Sequence, residues 1–229
     1  MDEITFILCD PKENLCKEWT RSINEFLMPE QRGSFKVTHG ILQDVKDNFD
    51  CIVSPANSYA KLDGAMDLVI SKMFLHKNPG VIVEHCQEYL YTIYNGYQPT
   101  GTCLVIPMHN FPNRHNCRYI AHCPTMRTPS NCKWNKEVVY NCMWSLLSEL
   151  RIHNRTNKDL IKRVFITGLG TGIGQFPSDV CAEQMILAYK HFIRNMEKQE
   201  KQNKITEWKE IRDDALDIEN TYRKPSFLA

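Results

Sequence analysis

Residues 164–178 read VFITGLGTGIGQFPS. The run Val164 to Thr167 is strand-like and enters a turn holding four glycines between Gly168 and Gly174. Ser178 can then cap a helix whose core face is Ala182, Met185, Ile186, Tyr189 and Ile193. A strand that passes through glycines into a helix belongs to an α/β protein, and backbone N–H groups in such a turn can point inward around an anion. The segment Gly168, Gly170, Thr171, Gly172, Ile173 and Gly174 is therefore a candidate phosphate loop. Two common fingerprints do not fit it. The spacing GxGxxG would need glycine at Ile173 or Gln175, and no Lys-Ser/Thr pair follows the loop.

Working outward, the same alternation recurs. Ile4 to Cys9 reads as a buried strand and meets Asp10-Pro11, an N-cap acceptor before a residue suited to the first helical position. Leu15, Trp19, Ile23 and Phe26 then share one helix face. Short strands are expected at Phe35 to His39 and at Cys51 to Pro55, and two helices between 64 and 95, broken at Asn78-Pro79-Gly80. Cys103 to Pro107 and Tyr119 to Cys123 are strand-like with no helix between them, which requires a mixed sheet. Val138, Cys142, Leu146 and Leu150 mark a long amphipathic helix. One α/β sandwich domain over 1–194 accounts for all of this. Residues 195–229 are expected as a polar linker and a C-terminal amphipathic helix, in which Ile205, Trp208, Ile211, Ala215 and Ile218 recur at helical spacing. That helix docks on the domain, offers a protein-partner surface at 205–220, or is a frayed tail.

Composition narrows the function classes. With 28 basic and 27 acidic residues the net charge is +1, so no global field gathers nucleic acid or an anionic membrane, and phosphate recognition must be local. No apolar run approaches the roughly 20 residues of a membrane span, and the N-terminus lacks the features of a secretory signal, so a cytoplasmic or nuclear protein is expected. The ten cysteines are dispersed without a CxxC pair and read as reduced, small hydrophobes. The cluster His109, His115, Cys117, His122 and Cys123 is a poor metal site, because a strand through 117–123 sends Cys117 and His122 to opposite faces. Neither a metal nor a cofactor is expected. His76 and His122 could act as acid or base near neutral pH, with packing or surface roles as the alternative.

A second loop brackets the same region. Residues 53–67, VSPANSYAKLDGAMD, join a strand to a helix with small residues Gly64 and Ala65 at the helix entrance, where an anion is favoured. The segment is similar to the NAAN-x5-GGG-x-D stretch of the macro domain family: residues 54–57 stand for NAAN, and Asp63, Gly64, Ala65, Met66 and Asp67 for the end, with no gap. GLGTGIGQFP at 168–177 resembles that family's second substrate loop. PTMRTP at 124–129 resembles a macro-like branch related to ADP-ribose 1''-phosphate phosphatases. The resemblance covers about residues 1–194 and implies a three-layer α/β/α sandwich that binds ADP-ribose at the carboxyl ends of its strands.

The resemblance also implies roles. Asn57 would hold the distal ribose, with Ser58 beside it, and Asp67 would orient or deprotonate a water. Thr125 and Arg127, in a loop after a strand end, could reach the ligand, Arg127 as a bidentate phosphate partner. The chain also departs from the pattern. The family's adenine-contacting Asp falls at Ile41, Gly174 replaces an aromatic and leaves Phe176 as the nearest ring, and Asp63 would repel a diphosphate unless it faces away or contacts ribose hydroxyls. Three functions stay open: a hydrolase of ADP-ribose 1''-phosphate or ADP-ribosyl esters, a binding module without turnover, and an interaction domain with a decayed pocket.

Overall fold

A computed structural model describes residues 4–74, 78, 80–201 and 206–228; His76 and Ile205 lie outside the described residues. Six strands form one sheet: β1 (Thr5–Asp10), β2 (Phe35–His39), β3 (Cys51–Ser54), β4 (Leu104–Pro107), β5 (Tyr119–His122) and β6 (Arg163–Ile166), in the order β2-β1-β6-β3-β5-β4. All neighbours run parallel except β4 and β5, which are antiparallel, with Leu104 opposite His122 and Pro107 opposite Tyr119. This is the mixed sheet required by two consecutive strands without a crossover helix.

Side-chain alternation sorts the core into two faces. Phe6, Leu8, Cys51, Val53, Val164 and Ile166 belong to one buried cluster, and Ile7, Cys9, Ile52 and Phe165 to the other. Helices α1 (Glu13–Phe26), α5 (Val138–Thr156) and α6 (Ser178–Glu200) cover the first face. Helices α3 (Ala65–Met73) and α4 (Gly80–Tyr94) cover the second, and the short α2 (Pro29–Arg32) links α1 to β2. The central strands are buried on both sides, as parallel strands are. The result is the three-layer α/β/α sandwich.

Two expected caps are used differently. Helix α1 starts at Glu13 behind Lys12, not at Pro11, and Asp10 does not cap it. Asp10 instead accepts the Lys12 N–H at 2.9 Å through one oxygen, and through the other the Thr167 hydroxyl at 2.7 Å and the Gly168 N–H at 3.1 Å. Helix α6 follows Pro177, and Ser178 is its first residue without a side-chain cap.

The chain beyond 194 stays attached to this body. Helix α6 continues through the polar stretch to Glu200, and α7 (Trp208–Tyr222) and α8 (Pro225–Leu228) follow. The apolar spacing in α7 does not form its contact face: Trp208 is 70% exposed, Ile211 and Ala215 are exposed, and only Ile218 of that stripe is buried. The contact is made by the buried Ile218 and Thr221, the latter accepting from Gln184 at 3.0 Å, together with the Arg194–Asp214 pair, Lys190–Asp217 and Lys198–Glu210. Glu183 on α6, buried at its carboxylate, pairs with Arg21 of α1 and with Lys224 just before α8. Among the described residues no helix is long and apolar enough to cross a membrane.

Candidate functional site

A cavity of about 320 Å³ opens where the chain leaves the carboxyl ends of β2, β1, β6 and β3. Parallel strands deliver all these loops to one edge of the sheet, the usual ligand position in an open α/β sheet. The loop after β6 forms one wall, with Gly168, Gly170, Thr171, Gly172, Ile173 and Gly174 all on the lining. Its course depends on missing side chains. Gly170 has φ +68°, and a Cβ on Gly174 would lie 2.5 Å from the Gly170 carbonyl oxygen and 2.6 Å from Cys132 Sγ. The Phe176 N–H closes the turn on the Gly170 carbonyl at 3.0 Å.

The opposite wall comes from the β3–α3 connection and the first turn of α3 and contributes Asn57, Asp63, Gly64, Met66 and Asp67. Between them Ala60 and Leu62 are buried at φ 50° and 48°, left-handed conformations held without glycine. Such residues persist only where the surrounding packing dictates them, and here they fold the loop back so that Asn57 and Asp67 share one cavity. Asn57 is 8% exposed, and its Oδ1 accepts the Tyr59 N–H at 3.0 Å, which orients the amide. Its Nδ2 makes no hydrogen bond among the described residues. A single parallel bridge to Met126 fixes its backbone.

Asp67 stands in the first turn of α3, also 8% exposed. The Ser54 hydroxyl, at the end of β3, donates to its Oδ1 at 2.6 Å. Burial pushes the carboxyl up from 3.8 to about 6, the Ser54 bond pulls it down, and nearby Asp63 adds to the rise. A carboxylate with that value can take a proton at neutral pH and still return it.

The remaining candidates sit behind or beside the cavity. Ser58 is buried, and its N–H donates to the Met126 carbonyl at 3.0 Å. Ala65 opens α3 behind the lining residue Gly64. Thr125 is fully buried, with its N–H on the Ala56 carbonyl at 3.0 Å. Phe176 turns into the core and meets Phe227 of α8 edge-on at 5.3 Å. Arg127 is exposed and lies outside the lining, its guanidinium 5.0 Å from the Tyr97 ring and 3.3 Å from the Tyr59 hydroxyl. His122 is buried beneath this end of the site and holds Gln98 Oε1 at 2.6 Å; burial lowers it to about 4, so the ring is neutral at pH 7.

Other lining residues escaped the sequence reading. Asp10 ends β1 and Lys12 follows it, Ile41, Leu42 and Gln43 follow β2, and Met126 and Pro129 close the Asn57 end. Ile41, at the position of the family's adenine-contacting Asp, stands on the wall. The signal that could have found Asp10 and Lys12 is positional: polar residues at or directly after the end of a parallel strand lie at the ligand edge. Cys9 also lines the cavity, and burial raises its thiol to about 11, so it is a neutral wall and no thiolate. All ten cysteines are buried free thiols, and the described residues contain no cluster of three or more His, Cys, Asp or Glu able to hold a metal.

Comparison with known proteins agrees with this architecture. The chain is similar to an Oceanobacillus iheyensis macrodomain mutant with ADPR, at TM-score 0.51 and 18% identity, over 65% of this chain and 73% of that one. It also matches a Trypanosoma brucei macrodomain in complex with ADP-ribose, at TM-score 0.46 and 18% identity, over 65% of this chain and 53% of that one. At 18% identity the likeness to the Oceanobacillus iheyensis structure is one of fold. The model of the macro domain family matches residues 53–185, more than half of the chain and both cavity loops, and the chain therefore belongs to the macro domain family.

Proposed function

We propose that the cavity binds ADP-ribose and that Asn57 and Asp67 support hydrolysis at its distal ribose. The observation that carries this reading is the presence of Asn57 and Asp67 on one wall, opposite a loop of four glycines able to present N–H groups to a diphosphate. The cavity volume lies at the small end of the range for small-molecule sites, about 300–1,000 Å³. The ADPR held by the similar Oceanobacillus iheyensis macrodomain supports the same ligand class.

The chemistry balances simply. Asp67 takes a proton from a water whose oxygen forms a bond to C1'' of the ribose; the C1''–O bond breaks, and a phosphate or carboxylate leaves with the electron pair. Asn57 donates its free Nδ2 to a ribose hydroxyl and fixes the angle of attack. The substrates are ADP-ribose 1''-phosphate or an ADP-ribosyl ester. Binding without turnover is the second reading, and one observation favours it: the first loop keeps a single glycine, Gly64, between Asp63 and Ala65. Calorimetric titration with ADP-ribose tests binding, with micromolar affinity expected. Product analysis on both substrates tests turnover. Absence of heat overturns the ligand assignment, and binding without product leaves the second reading in its place.

A further inference from the structure

The ionisable groups on the cavity wall pose an electrostatic problem for an anionic ligand. Three carboxylates line it, Asp10, Asp63 and Asp67, and among the described lining residues the cations number one, Lys12. Backbone N–H groups of the glycine loop supply only partial positive charge, and a diphosphate would enter a wall that is net negative.

Lys12 is placed to change this. It follows β1, and β1 and β6 are the middle strands of the four whose ends form the cavity. Its Nζ donates to the Thr171 carbonyl, and Lys12 lines the cavity together with the glycine loop whose N–H groups would meet the phosphates. In ADP-ribose the diphosphate lies between two sugars. With the distal ribose at Asn57 and the base toward Ile41 and Leu42 after β2, the charged centre of the ligand falls in front of β1 and β6. The carbonyl holding Lys12 satisfies one of three ammonium hydrogens and leaves two for phosphate oxygens. Asp10 contributes indirectly: its carboxylate is engaged by the Lys12 and Gly168 N–H groups and the Thr167 hydroxyl, which sets the Lys12 backbone against the base of the same loop.

We infer that Lys12 is a ligand-contacting residue that supplies the countercharge for the diphosphate of the bound nucleotide. This rests on the proposed ADP-ribose reading and adds to it a specificity: ligands with two phosphates between their sugars are selected over neutral nucleosides by an ion pair, not by the glycine loop alone. The rival role is a strap that merely holds the Thr171 carbonyl.

The test is calorimetric titration of the full chain with ADP-ribose at 50 and 300 mM salt, for wild type, Lys12→Met, which keeps the length of the stem, and Lys12→Arg. The wild type is expected to weaken as salt rises, because an exposed ion pair is screened. Lys12→Met should bind at least tenfold more weakly at low salt, about 1.4 kcal/mol, and respond less to salt, and Lys12→Arg should recover most of the affinity. If the wild type binds and Lys12→Met binds equally well, or binds more weakly with unchanged salt dependence, Lys12 is a strap and the inference fails alone. A wild type that does not bind ADP-ribose removes the functional reading and this inference together. Should Lys12→Met not fold, Lys12→Gln carries the same expectations.

Discussion

Asp67 is held between burial, which disfavours its charge, and the Ser54 hydroxyl, which favours it, and this balance can be measured in two ways. A carboxyl raised from 3.8 to about 6 on folding costs nothing below pH 4, costs progressively more between pH 4 and 6, and costs roughly 3 kcal/mol at most above that. Asp67→Asn should therefore match the wild type in denaturant unfolding at pH 3.5 and exceed it at pH 8; equal stability at both would show that the carboxylate is solvated. In catalysis the sign reverses. Turnover should rise with pH through about 6 as Asp67 becomes the base, and Asp67→Ala should lower it by about 10² to 10⁴ with a smaller effect on binding. Ser54→Ala removes the bond that stabilises the anion, so its pH–rate profile should move to higher pH. At this scale the sequence was legible where a motif fixed spacing, as at Asn57 and Asp67. It was not legible at Asp10, whose partner hydroxyl on Thr167 lies 157 residues away and competes successfully with the local helix N–H groups.

The glycine loop and the β3–α3 connection act as opposed jaws, and their glycines are not equivalent. A Cβ on Gly172 meets nothing within 4 Å, whereas one on Gly174 meets backbone and Cys132. Gly172→Glu should therefore leave the melting temperature nearly unchanged and lower ADP-ribose affinity at least tenfold, since it sets a carboxylate on the cavity wall; unaltered affinity would place the ligand elsewhere. Strands and helices were readable from periodicity because each buries one face, or for the central strands both. The docking of α7 was not. Its stripe of Trp208, Ile211 and Ala215 has the spacing of a buried face, but Asp214 and Asp217 meet Arg194 and Lys190 on α6 and turn that stripe outward. Helical spacing fixes which residues share a face, and only the partner decides which face is covered.

Across the whole molecule the C-terminal helices connect to the cavity. Phe227 packs on Phe176, and Phe176 closes the glycine turn through Gly170, so α8 buttresses a wall of the site from behind. Phe227→Ala should cost about 3 kcal/mol in denaturant unfolding and also weaken ADP-ribose binding, although residue 227 lies outside the lining. A stability loss with full affinity would separate the two. The packing also hides every thiol. With ten free thiols and none exposed, the folded protein should be silent toward a thiol reagent, and each cysteine becomes a clock for the opening of its own surroundings. Cys132, against the inner side of the glycine turn, would time the breathing of the loop, Cys181 that of α6, and Cys51 the parting of the sheet itself, so that labelling with and without nucleotide would chart which parts of the molecule the ligand fastens.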